Sequence, residues 1–209
     1  IVMAMRKLSF FAALVVAMTA VSCVEDIKPG TLENGGGKAF NATFDATASK
    51  AVLKPGADES KVEWNKDDQV GVLVGEGNYL YVAQADGATT TLTTSATDVP
   101  TEGTFYAVYP YDENATLSEG VITTTLPSEQ TAVLGSFSTH LAVASTTEST
   151  LAFKNVCGLV KVTVDAENVS KIVFEGNSEE IVSGAINITV TDTPAWEAVA
   201  EQGAKSVTL

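Results

Sequence analysis

The sequence predicts an all-β fold, a sandwich or a barrel, and three observations carry that prediction. Short runs rich in Val, Ile, Thr, Phe and Tyr recur along most of the chain, and these residue types suit a pleated, half-buried surface. Turn signals divide the runs: Gly75-Glu76-Gly77-Asn78, Asp86-Gly87, Pro100, Glu119-Gly120 and Glu175-Gly176-Asn177. No helical periodicity persists beyond two turns. Many short strands at such spacing close into sandwiches or barrels.

The first element, residues 1–22, reads as a signal peptide starting at Met3 or Met5. Met5-Arg6-Lys7 is a positive head, residues 8–20 are almost unbroken apolar, and Ala20-Val21-Ser22 supplies small residues for a peptidase. As a helix the apolar run would be roughly 20 Å long, too short for the ~30 Å hydrocarbon core. Ala20-Val21-Ser22-Cys23 resembles a lipobox, which implies cleavage between Ser22 and Cys23 and a diacylglyceryl thioether on the Cys23 thiol. The plainer alternative is ordinary secretory cleavage leaving a free thiol. A chain with 2 cysteines rarely has one at this position by chance. Several acyl chains, at about 0.8 kcal/mol per buried methylene, would hold the protein to a membrane. Val24-Glu25-Asp26 resembles the acidic signal that sends some lipoproteins to the outer face of the outer membrane; a solvated acidic tether is the other reading.

Residues 23–38 form the second element, a tether with Pro29-Gly30 and Asn34-Gly35-Gly36-Gly37 that reaches roughly 20 Å on average. Order is expected from Ala39. Phe40, Ala42, Phe44 and Ala46 alternate with polar residues, the period-two pattern of a half-buried strand over 40–47. Further strands are expected near 69–74, 79–83, 89–94, 104–109, 121–126, 141–145, 151–156, 159–164, 171–175 and 185–190. Residues 195–200 have the composition of a single helical turn. The expected β domain spans 39–184, and 185–209 is read as the beginning of a second. Lys205-Ser206-Val207-Thr208-Leu209 opens another strand with no turn behind it, so the expectation is that the gene continues.

Charge narrows the classes of partner. With Arg6 and Lys7 assigned to the leader, 26 acidic residues face 10 basic ones downstream, a net of −16. Phosphate contacts depend on Lys and Arg, so nucleic-acid binding is excluded. His140 is the single histidine, expected at the surface or a strand edge. Ser136 and Ser138 lie near it, but no GxSxG elbow is present. One histidine and one apolar cysteine, Cys157, cannot ligate zinc, and Cys157 reads as a small core residue without a disulfide partner. Glu63, Asp67 and Asp68 lack the EF-hand spacing and read as an acidic turn. No metal or cofactor is expected. Trp64, Tyr79, Tyr81, Tyr106, Tyr109, Tyr111 and Trp196 could stack on sugars, although strand aromatics are more often core or cross-strand pairs.

The order of motifs carries a resemblance. Trp64-Asn65-Lys66-Asp67-Asp68-Gln69-Val70-Gly71-Val72 is followed by Gly103-Thr104-Phe105-Tyr106-Ala107-Val108-Tyr109-Pro110 and by Leu126-Pro127-Ser128-Glu129-Gln130. Then come Leu141-Ala142-Val143-Ala144, Leu151-Ala152-Phe153-Lys154-Asn155-Val156, Gly158-Leu159-Val160-Lys161-Val162-Thr163-Val164 and Ile172-Val173-Phe174-Glu175-Gly176. Together over residues 40–190, behind a lipoprotein leader, they resemble the fimbrillin-like proteins that build or anchor type V pili.

That resemblance implies two transthyretin-like β-sandwich domains on a surface lipoprotein, the N-terminal one here at 39–184. It implies further that a protease removes the lipid-bearing end with the first strand, residues 40–47, and that a neighbouring subunit's strand fills the opened groove. Affinity in such an exchange comes from backbone hydrogen bonds and alternate side chains in pockets. Arg6 is the chain's one arginine, so an arginine-specific protease has nothing to cut downstream. Lys38, Lys50 and Lys54 remain as maturation sites, or the protein stays uncut as an anchor. The donor strand is expected beyond Leu209, so the chain to that point is not expected to polymerise. The expected function is thus a structural fimbrial subunit or pilus anchor, lipid-anchored at the outer membrane, with other pilus subunits as partners and a host protein or glycan as a further one. The competing expectation is a surface glycan-binding lipoprotein of a nutrient-uptake system. An enzyme is disfavoured because no catalytic constellation is found.

Overall fold

The computed structural model describes residues 37–44, 62–131, 139–158, 160 and 162–209. Among them there is no helix, and the chain is all-β. In order the strands are β1 (Phe40–Phe44), β2 (Gln69–Val74), β3 (Gly77–Ala83), β4 (Thr89–Thr93), β5 (Phe105–Tyr109), β6 (Thr116–Ser118) and β7 (Val121–Leu126). They continue as β8 (Ala142–Thr146), β9 (Thr150–Asn155), β10 (Val173–Glu175), β11 (Ser183–Thr189), β12 (Ala195–Ala204) and β13 (Ser206–Thr208).

Seven strands close a barrel in the order β1-β4-β3-β2-β5-β8-β9. Neighbours run antiparallel except at the closure, where β1 lies parallel to β9 with Ala42 opposite Leu151. The pleat sends alternate side chains to opposite faces. Inward go Phe40 and Ala42, Val70, Val72 and Val74, Tyr81 and Ala83, Leu92, Phe105 and Ala107, Ala142 and Ala144, and Leu151 and Phe153, which form one buried cluster.

The outer face of the β2-β5-β8 wall is also apolar, and this decides the rest of the architecture. Leu73, Val108 and Val143 point away from the barrel interior and meet Ile122 of β7 with Ile186 and Ile188 of β11 in a second buried cluster. The sheet β12-β11-β7-β6 therefore covers this wall. A run such as Val70-Gly71-Val72-Leu73-Val74 is buried nearly end to end because both its faces are covered. Each large aliphatic side chain so removed from water contributes about 1.5–3 kcal/mol.

Strand by strand, most expectations fall within one or two residues of an observed strand. The strand expected over 40–47 is present as β1 to Phe44, and 45–47 lie outside the described residues. Two expectations are corrected. Residues 195–200 form no helical turn but belong to β12, because pairing with β11 overrides the helical propensity of alanine and glutamate, which decides little over so short a stretch. In the stretch 159–164, Val160 and residues 162–164 belong to no strand, and Val160, Val162 and Val164 are exposed. Leu159 and Lys161 lie outside the described residues. The three-residue β6 has too little apolar alternation to be read from sequence. The expected boundary after Gly184 falls inside β11, whose register with β7 runs from Gly184 opposite Leu126 to Thr189 opposite Val121.

Candidate functional site

The site with most structural consequence is the seat of β1. Five residues of β1 bridge β4 on one side and β9 on the other, so this strand alone joins the two ends of an otherwise continuous six-strand sheet. Phe40 sits opposite Leu92 and packs edge-on against Tyr81 and Phe105, with ring centroids 5.6 and 5.0 Å away. Ala42 is fully buried, where a larger side chain would collide with its neighbours. Asn41 donates its backbone N–H to the Ser149 carbonyl at 2.8 Å.

At the far end Phe44 enters an aromatic box. It stacks on Trp64 with centroids 4.4 Å apart, and Tyr109, His140 and Phe153 stand around it at 5.9, 5.3 and 5.9 Å. Trp64 is buried, and its backbone is tied to Gly87 by a reciprocal pair of hydrogen bonds of 2.8 and 2.9 Å. The Tyr109 hydroxyl is pushed up from its usual range, first by burial and then by the charge and hydrogen bond of Asp68.

At the near end lies Lys38, the one expected maturation residue that the structure describes. Its ammonium stands 4.6 Å from the Phe105 ring centre and 5.5 Å from that of Phe40. Cation–π contacts of this kind contribute about 0.5–2 kcal/mol. Its carbonyl accepts a 2.9 Å hydrogen bond from the Tyr81 hydroxyl. Burial, followed by repulsion from Tyr79, raises Tyr81 to about 12, so it remains a donor throughout the neutral range. Ser22, Cys23, Lys50 and Lys54 lie outside the described residues.

The remaining candidates resolve into structural roles. His140 is buried rather than at the surface. It bonds through Nε2 to Asn155 Oδ1, and burial, partly opposed by that bond, lowers its pKa. Asp68 closes the acidic turn by accepting the Asn65 N–H at 2.8 Å, and Asp67 takes a φ of 72°. No group of ligating side chains able to hold a metal ion occurs among the described residues. Cys157 packs half-buried against the second cluster, and burial pushes its thiol up. Of the aromatics considered for sugar stacking, Trp64 and Tyr81 are buried, Tyr79, Tyr106, Tyr109 and Tyr111 are half-buried, and Trp196 is exposed.

An open cleft of about 610 Å³ lies between Pro110, Tyr111, Leu126, Pro127 and Leu141. Of the two acidic residues that line it, Asp112 and Glu113, the carboxylate of Asp112 is already committed. It accepts from Asn114 N at 2.9 Å, Thr124 Oγ1 at 2.8 Å and Thr125 N at 3.2 Å. The sequence signal of this self-bonded turn is Asp112 two residues before Asn114, a spacing short enough to be legible without the fold.

Against models of protein families, curated proteins and solved structures, the chain matches none.

Proposed function

We propose that this chain is a structural fimbrial subunit or pilus-anchoring lipoprotein of the fimbrillin-like kind, which assembles by strand addition at the seat of β1. One observation carries the reading. The strand that closes the barrel is short, comes first among the described elements, and is bounded by two pairing edges and an apolar trough. Taking it away would leave β4 and β9 with unpaired backbone groups and uncover Leu92, Leu151, Tyr81 and Phe105. An incoming strand with apolar residues at alternate positions satisfies both needs at once. In this reading the closed sheet is a flattened transthyretin-like sandwich, Cys23 bears the lipid that holds the protein to the outer membrane, and the chain is not an enzyme. The strongly acidic surface suits a subunit kept apart from its copies until a specific strand docks.

Glycan capture is the weaker reading, because most of the aromatics it would use are buried or half-buried. The test is to express the protein from its complete reading frame and treat it with a lysine-specific protease. Ladders that resist SDS are the expected result. Monomer that persists after mass spectrometry has shown the loss of β1 would overturn the proposal.

A further inference from the structure

We propose that Gly37 and Lys38 form a latch that holds β1 in its seat and shields the Lys38–Ala39 peptide bond from proteases while the barrel is closed. Three contacts made by different parts of the fold converge on these two residues. The ammonium of Lys38 rests on the rings of Phe105 and Phe40, the first from β5 and the second from β1 itself. The Lys38 carbonyl is held by the hydroxyl of Tyr81 on β3, two strands away from β1 in the sheet order. Gly37 is buried so tightly that an added Cβ would overlap Thr94 Cγ2 and stand 3.4 Å from the Ala96 carbonyl oxygen.

A lysine-specific protease needs the same two groups. It must take the ammonium into its own pocket and the carbonyl into its oxyanion hole, and it binds the flanking residues as an extended strand. Here the ammonium lies on aromatic faces, the carbonyl has a donor, and the residues that follow are paired on both sides in β1. The bond can be cut only after this end of β1 opens, so cleavage reports local opening rather than simple access. Under the reading given above the latch would govern release of the segment that precedes β1, whereas removal of β1 itself takes a cut beyond it, at Lys50 or Lys54; the latch is measured on monomer and does not depend on assembly.

The experiment is a time course of cleavage of the folded full chain by a lysine-specific endoprotease, with each site followed by mass spectrometry. Lys171, an exposed lysine elsewhere on the chain, is the internal reference. Lys38 is expected to be cut at least about tenfold more slowly than Lys171, since opening must come first. Tyr81→Phe keeps the ring and removes the hydroxyl, and should speed cleavage at Lys38 by about threefold to tenfold while leaving Lys171 within about twofold. Gly37→Ala, whose added Cβ would press on Thr94 Cγ2 and stand in ordinary contact, 3.4 Å away, with Val99 of the interior cluster, should speed Lys38 in the same way by expelling the latch from Thr94. Equal rates at Lys38 and Lys171 in the unmodified chain, or a slow Lys38 that neither variant accelerates, would overturn the latch. Absence of ladders in the assembly test leaves these rates unaffected, so the two proposals fail separately.

Discussion

His140 shows how burial turns a titratable side chain into a structural one. Its ring lies 5.3 Å from Phe44 and 6.0 Å from Tyr109, and water is largely excluded from it. Desolvation disfavours the imidazolium, so the folded state binds its proton less readily than the unfolded chain does. The sign follows from linkage: the unfolded state holds more protons at mildly acid pH, so stability rises with pH there. The contribution is complete above the ordinary histidine value of 6.5 and is lost progressively as pH falls below it. The melting temperature of the unmodified chain should therefore drop more steeply between about pH 7 and pH 5 than that of His140→Gln. Equal slopes would reject a neutral buried His140. Its burial was not legible in the sequence, because a polar residue at the start of an apolar run is also what an exposed strand edge looks like. The aromatics around it come from β1, β5, β9 and the residues before β2, and only folding brings those segments together.

Among the elements, β11 is the one that most constrains the outer sheet. It pairs with β7 along its length and with β12 at both ends, and the register with β12 shifts between Gly184 and Ile186. Gly184 sits at φ 102°, and a Cβ there would overlap the Gln202 carbonyl oxygen. Gly184→Ala should therefore destabilise the fold by about 2–3 kcal/mol, which a urea titration would resolve. A variant within a few tenths of the parent would mean that the bulge is not held as described. The expected strand at 185–190 anticipated β11 because Ile186 and Ile188 alternate with polar neighbours. By contrast β12 was missed because Ala195-Trp196-Glu197-Ala198 carries no clear period of either kind. Its strand character comes from the partner beside it, as edge strands commonly borrow theirs. Val160 and residues 162–164 make the opposite point: alternation alone does not make a strand, and among the described residues none pairs with them in a sheet.

For the whole molecule, charge is the property most directly read from composition. With a net charge of −14 the chain repels itself in the compact state, and salt screens that repulsion. Raising sodium chloride from about 10 to about 300 mM should lift the melting temperature by about 2–4 °C, the shift that about 1 kcal/mol makes in a domain of this size. A flat response in a thermal shift series would show that the acids are spread too widely to oppose folding. Composition and local pattern by themselves determined the all-β class, the places of most strands, the burial of Phe40 and Ala42, and the acidic surface. These follow from short-range physics: period-two alternation, β-branched side chains, turn chemistry and a count of charges. Only the tertiary structure decided that β1 meets β9 in parallel and closes a barrel, that β2 is covered on both faces, and that Lys38 rests on Phe105. Those contacts join residues distant in sequence, and nothing local to either partner distinguishes one pairing from its competitors until the whole sheet is closed.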